Sequence, residues 1–157
     1  DRYDNPLGAR EDRDFFMGHY IHRGVHLILT DSLSRTLLQK RSATKMLYPN
    51  CYTSSVSGAV IYGETCVESL RRECEEEIGQ FFSFDFICKF LHETEYDRAR
   101  AYFYSAKYQN QKLNPDELEI SQLKWFTKEE LINIIINEPA SLTPPSLRFF
   151  REYLDLD

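Results

Sequence analysis

The sequence predicts an α/β domain: a mixed sheet with helices on both faces. Three observations predict it. β-rich runs fill the first part of the chain and return between residues 84 and 126. Helix-start signatures occur at Thr65, Thr127 and Thr143. The resulting order of β-rich, helix, β-rich, helix, helix suits strands and helices packed in layers. The 157 residues are read as one domain spanning 1–157, long enough for a sizeable core.

Each element has a local cause. Residues 1–17, DRYDNPLGAREDRDFFM, are charged and turn-rich and are expected to form an N-terminal arm with at most one short strand. VHLILT (25–30) and RTLLQKR (35–41) are β-rich runs joined by the turn former Asp31-Ser32-Leu33-Ser34, which predicts a hairpin. SATKMLYPN (42–50) reads as a loop turning at Pro49-Asn50, and Tyr52 to Ile61 as short β pieces around Gly58. Thr65-x-x-Glu68 is a capping box. Val67, Leu70, Cys74 and Ile78 follow at helical spacing and predict one buried stripe, and Gly79 supplies the stop. Residues 84–92 and 99–108 read as strands separated by Tyr96-Asp97-Arg98, followed by a polar loop to Glu117 and a strand over 120–126. Thr127-x-x-Glu130 opens a helix to about Asn137, and Thr143-Pro144 opens another to about Leu154, since proline suits the first helical turn.

Composition narrows the function. The formal net charge of −6 argues against binding a nucleic-acid polymer through a basic surface. An anionic substrate then requires metal ions or basic residues to reverse the charge locally. No apolar run approaches the ~20 residues needed to span a bilayer, so no membrane partner is expected. The cysteines, Cys51, Cys66, Cys74 and Cys88, contain no CxxC pair. Cys66 and Cys74 would lie about 12 Å apart along a helix, too far for a disulfide. Reduced thiols and the lack of a visible signal peptide give a cytoplasmic expectation. The arm and the SLRFFREYL helix, with Leu147, Phe150 and Leu154 on one face, are candidate homodimer surfaces, although such a face equally suits a core.

The segment GAVIYGETCVESLRRECEEEIGQ (58–80) crowds Glu68, Glu73, Glu75, Glu76 and Glu77 onto one helix. Like charges three and four apart repel by a few tenths of a kcal/mol per pair. At about 100° per residue, Glu73, Glu76 and Glu77 share an arc beside the apolar stripe, with Glu73 and Glu77 one turn apart. Carboxylates so stacked suit a hard divalent cation, which also takes waters and phosphate oxygens. Glu75 points elsewhere and reads as solvated. Arg72 lies within reach of Glu68 and Glu76 and is expected to orient a carboxylate. Glu64 is placed to pair with Arg72 or to reach a metal through water. Gly58 and Gly63 permit a tight strand-loop-helix path that brings backbone amides near an anion. The plain alternative is a solvated helix laced with ion pairs.

The spacing resembles the Nudix box, G-x5-E-x7-R-E-U-x-E-E-x-G-U, with U a bulky aliphatic residue. Gly58, Glu64, Arg72, Glu73, Glu76, Glu77 and Gly79 match; Cys74 stands at the first U, and Gln80 departs at the last. The resemblance implies a Nudix-type α/β/α sandwich with a mixed β-sheet. It implies an enzyme that cleaves a diphosphate linkage in a small molecule, such as a nucleoside di- or triphosphate, a nucleotide sugar or a related diphosphate, with Mg²⁺ (or Mn²⁺). It further implies that Glu73, Glu76 and Glu77 ligate the metal. Many members use another glutamate shortly before a tryptophan. In ELEISQLKW, Glu119 precedes Trp125 by six and is the expected extra ligand or general base; Glu117, Glu93 and Glu95 are the alternatives.

Residues 22–64 are similar to the isopentenyl-diphosphate isomerase branch of that superfamily. His22 takes the place of the histidine in that branch's HRA, but its acid–base cysteine falls at Ser57 and its metal-binding histidine at Ala59. Serine is a far poorer proton carrier than a tuned thiol, and alanine binds no metal. An isomerase-like hydrolase is therefore expected, with Arg41, Lys45 and Gly58 binding substrate. A catalytically idle sensor or adaptor is a third expectation, set against the intact box. His19, His22 and His26 are read as core or surface polar groups, since neither cysteine nor carboxylate completes a site beside them.

Overall fold

The computed structural model of the protein describes residues 1–11, 14 and 18–156. Among them a seven-stranded mixed sheet is built from β1 (His22–Thr30), β2 (Thr36–Arg41), β3 (Tyr52–Thr53), β4 (Val56–Ala59), β5 (Asp85–Glu93), β6 (Arg98–Lys107) and β7 (Ile120–Phe126). The main path runs β3-β2-β1-β6-β5, with β4 on β1 and β7 on β2. β1 pairs antiparallel with β2 and β4 and parallel with β6, from His22↔Ala99 to Thr30↔Lys107. The expected β1–β2 hairpin is closed by the Asp31 carboxylate, which accepts the amides of Leu33 and Arg35.

Helices α1 (Cys66–Ile78), α2 (Lys128–Asn137) and α3 (Pro144–Tyr153) complete the fold, with a 3-10 turn at Pro139–Ser141. Strand alternation divides the core into two layers. Val25, Leu27 and Leu29 of β1 pack with Leu70, Cys74 and Ile78 of α1. Ile28 packs on the other face with Leu131 and Ile135 of α2 and with Phe149 and Phe150 of α3. Fully burying side chains of this size contributes about 1.5–3 kcal/mol each. Helices thus cover both faces, and the predicted sandwich is present.

The inward arc of α1 corrects the predicted stripe. Val67 is 38% exposed. The buried positions come in adjacent pairs, Ser69-Leu70, Glu73-Cys74 and Glu77-Ile78, repeating every four residues. One half of the arc is apolar and the other polar, so the helix carries two carboxylates into the interior beside its hydrophobic contacts. Both ends follow prediction: Thr65 and Glu68 form the reciprocal capping box, and Gly79 closes the helix at φ 66°.

The arm has no strand among its described residues, and Asp12, Arg13 and Phe15 to Met17 lie outside them. It is tied to the sheet by Asp4. That carboxylate accepts from Arg23 Nε at 2.9 Å, Lys89 Nζ at 2.6 Å and the Tyr102 hydroxyl. All four cysteines are free thiols. Among the described residues no helix is long and apolar enough to cross a membrane.

Candidate active site

The site is assembled where α1 meets the end of β4. A Cβ at Gly58 would lie 1.9 Å from Glu73 Cδ, so the missing side chain is the space that the Glu73 carboxylate occupies. Arg72 fixes the surroundings. Its Nη1 donates to Glu73 Oε1 at 2.7 Å and Glu76 Oε2 at 2.9 Å, its Nε to Glu64 Oε1 at 3.1 Å, and its Nη2 to the Ala59 carbonyl at 3.1 Å and Glu64 Oε2 at 3.2 Å. The five N–H donors of a guanidinium are thereby used within the protein. Arg72 orients carboxylates, as expected, but Glu68 is not among them: it reaches back to Thr65.

Glu77 lies deepest. Its Oε2 accepts Gln39 Nε2 at 2.8 Å and the Ser57 amide at 2.9 Å. Burial, reinforced by the charges of Glu73 and Glu119, pushes its pKa up to about 8 despite those two donors. Glu73 is raised in the same direction, chiefly by burial, with Arg72 opposing. Glu76 and Glu75 are exposed.

Glu119 enters from the loop before β7. Its Oε1 lies 2.8 Å from Lys45 Nζ, and its carbonyl accepts the Ser42 amide at 2.8 Å. Arg41, the last residue of β2, donates from Nε to the Leu47 carbonyl at 3.1 Å. Burial lowers its pKa, while the charges of Glu77, Glu119 and Asp97 act to raise it. Arg41 therefore stands within charge range of the glutamate cluster and of a second acidic group. The alternative bases lie elsewhere: Glu93 is held by Arg2 and Arg98, and Glu95 and Glu117 are exposed.

His26 is a core polar group, within the expected reading, whereas His22 departs from it. His26 is buried, its ring stacked on Phe103 at 4.4 Å and its Nδ1 3.0 Å from Ser54 Oγ. Burial, then the positive charges of its neighbours, pushes its pKa down to about 3. His22 does have a carboxylate beside it: Asp97 Oδ1 lies 3.8 Å from its Nδ1. His92 of β5 joins this group, and its pKa is lowered by burial while Asp97 acts to raise it. Asp97, His92 and Gln39 were missed because their sequence neighbourhoods are those of an ordinary turn or strand.

A hard divalent ion fits the chemistry of the cluster. The donors are carboxylate oxygens, two of the carboxylates are interior, and a cation would offset both the burial of their charge and their mutual repulsion. Among the described residues, however, no three His, Cys, Asp or Glu side chains are gathered closely enough to hold a metal as they stand. Arg72 holds Glu73 and Glu76 in this arrangement.

Residues 20–153 match the NUDIX domain family. The chain belongs to the Nudix family. It is similar to a prenyl-diphosphate phosphatase of Methanosarcina mazei, 37% identical over 147 residues that cover 92% of this chain and 86% of that protein. It is also similar to isopentenyl-diphosphate Delta-isomerase 2 of Photorhabdus laumondii, at 28% identity, 91% of this chain and 83% of that one. A crystal structure of the Deinococcus radiodurans protein DR0079 superposes with a TM-score of 0.80 over 97% of this chain and 94% of that one, at 24% identity, confirming the fold. This Nudix chain is accordingly a hydrolase of that family, built on its α/β/α sandwich.

Proposed function

We propose that this Nudix hydrolase cleaves small organic diphosphates, prenyl diphosphates foremost, with Mg²⁺ or Mn²⁺ held by Glu73, Glu76, Glu77 and Glu119. The observation that carries this reading is the burial of Glu73 and Glu77 together, Glu73 above the bare backbone of Gly58. Burying a carboxylate costs several kcal/mol unless charge compensates it, and Arg72 alone faces Glu73, not Glu77. When bound, the ion neutralises phosphate oxygens and lowers the pKa of its water.

The chain's own residues do the rest. Arg72 keeps Glu73 and Glu76 in place and has no donor left for substrate. Arg41 and Lys45 supply positive charge for the diphosphate. Glu119, held at the mouth of the cluster by Lys45, is the proposed proton acceptor for the attacking water. The 37% identical phosphatase supports the prenyl diphosphate class; nucleoside diphosphates and nucleotide sugars are the substrates that the box alone would also allow.

The test is to incubate the protein with Mg²⁺ or EDTA and a panel of prenyl diphosphates, nucleoside di- and triphosphates and nucleotide sugars. Products are identified by mass, with Glu77→Gln in parallel. Expected is Mg²⁺-dependent release of phosphate from the prenyl substrates, lost in the variant. Turnover of nucleotides alone would overturn the substrate class, and turnover that persists in EDTA would overturn the metal.

A further inference from the structure

The side of α1 that looks away from the glutamates borders a cavity of about 390 Å³. It is lined by Val67 and Arg71 of that helix, Phe82 and Phe84 of the loop after it, Phe86 of β5 and Tyr104 of β6. At about 100° per residue, Arg71 points roughly 160° away from Glu73. Val67 left the predicted buried stripe because its open surface faces this cavity. Phe84 and Phe86 hold the Tyr104 ring edge-on, with centroids at 5.3 and 5.6 Å. Arg71 is the only charged group among the described lining residues. Aromatic walls, few polar groups and a volume of about 300–1,000 Å³ characterise small-molecule sites.

Beside this cavity the same face of the sheet turns basic. Tyr102 lies two residues from Tyr104 on β6 and packs in the same core layer, about 7 Å along the strand. It pairs with Lys89 of β5. Arg100, two residues further back on β6, pairs with Arg23 of β1. Arg23 Nε at 2.9 Å, Lys89 Nζ at 2.6 Å and the Tyr102 hydroxyl all donate to one carboxylate, that of Asp4 in the arm. Arg100 donates from Nη2 to the Arg2 carbonyl, while its Nε is buried with no hydrogen-bond partner. Three cationic side chains on one face are thus served by a single carboxylate among the described residues. Donors that converge in this way make an anion site, and Asp4 is the anion that the chain itself supplies.

We propose that this face is a second small-molecule site, for a phosphate monoester with an apolar or aromatic body. The phosphate takes the place of the Asp4 carboxylate among Arg23, Lys89, Arg100 and Tyr102. The body fills the cavity over Tyr104, beside Arg71. A phosphate monoester brings a charge of roughly −1.5 to −2 and three acceptor oxygens, where Asp4 brings a single charge and two oxygens. It therefore suits three cations better and offers Arg100 Nε an acceptor. The cationic and aromatic parts lie about 7 Å apart along β6, a span that one small ester bridges. Its arrival displaces Asp4, so the ligand competes with the arm. The site lies on the opposite side of α1 from the glutamate cluster and stands whether or not the diphosphate reading holds.

The test is titration calorimetry in EDTA, with geranyl monophosphate, adenosine monophosphate, orthophosphate and uncharged geraniol as probes. Asp4→Ala should bind one of the two esters roughly tenfold or more tighter than wild type, because a tethered carboxylate competes at high effective concentration. Whichever ester binds tighter tells whether the body is isoprenoid or aromatic. Added to Asp4→Ala, Lys89→Gln and Phe86→Ala should each weaken binding about fivefold or more, through a lost charged donor and a lost ring. Both side chains are exposed, so neither change empties the core. Arg41→Gln should leave this binding unchanged, which separates it from the diphosphate site. Equal ester affinity in Asp4→Ala and wild type, or no ester binding in either, would overturn the proposal. So would orthophosphate or geraniol bound as tightly as the esters, or binding that is lost in Arg41→Gln yet survives Phe86→Ala.

Discussion

A methyl group at Gly58 would meet Glu73 Cδ at 1.9 Å. Gly58→Ala is therefore expected to expel the carboxylate: displacing a catalytic group by about 1 Å costs around 10²-fold in rate, and overpacking costs about 1–3 kcal/mol. Steady-state kinetics and a urea midpoint check the two effects separately. Glu77 sets a pH dependence. Its folded pKa, pushed up to about 8 by burial and by Glu73 and Glu119, exceeds the unfolded value near 4.3. The folded state therefore holds this proton longer, and metal-free stability falls as pH rises from about 5 to 8. The window from pH 6.5 to 8 leaves His26 out, because His26, depressed to about 3 by burial, costs stability only below about pH 6.5. Metal-free protein should lose about 2 kcal/mol across that window, and Glu77→Gln should flatten the slope. Sequence spacing made Gly58, Arg72 and the three glutamates legible as a set. It did not reveal that Glu77 leans on Gln39 and Ser57, because those partners lie 38 and 20 residues away on other strands.

At the scale of elements, α1 is the part most fully written in local sequence. Its start rests on the Thr65–Glu68 capping box and its end on Gly79 at φ 66°, where the cap amide meets the Cys74 and Glu75 carbonyls. Thr65→Ala should lower stability by about 1 kcal/mol. Gly79→Ala should cost about as much through the left-handed backbone, with its Cβ also 3.3 Å from Asn114 Cβ. Thermal unfolding measures both. The helix's rotation was less legible. A stripe beginning at Val67 is a sound helical pattern, yet the Ser69-Glu73-Glu77 row turns inward, because Gly58 makes room for it and Ser57 and Gln39 supply donors. The β5–β6 turn shows the same limit. Tyr96-Asp97-Arg98 reads only as the separator of two strands, but the parallel union of β1 with β6 sets Asp97 beside His22.

For the whole molecule, strand and helix order predicted the layers, since capping boxes and β-rich runs are local signals and two-sided coverage follows from them. The tether of the arm was not predictable, because its partners Arg23, Lys89 and Tyr102 come from three strands. Burial disfavours the Asp4 charge, but hydrogen bonds from Lys89, Tyr102 and Arg23 outweigh it and hold the pKa down to about 2. A depressed carboxylate stabilises the fold above its unfolded value near 3.9, and that contribution disappears as pH falls towards 2. Asp4→Asn should therefore lower the neutral-pH melting temperature, by the equivalent of about 2 kcal/mol at most. The effect should vanish in acid.

The union of β1 with β6 also has a bearing on biosynthesis. A ribosome delivers the chain from its N-terminus, so β1, β2, β4 and the glutamate helix emerge well before β6, which runs from Arg98 to Lys107. Until then one whole edge of β1, with its run of Val25, Leu27, Ile28 and Leu29, has no neighbour. An unpaired apolar edge is a template for foreign strands. A nascent chain halted between residues 80 and 97 should therefore clump or recruit a chaperone, while a chain released past residue 107 buries that edge within itself.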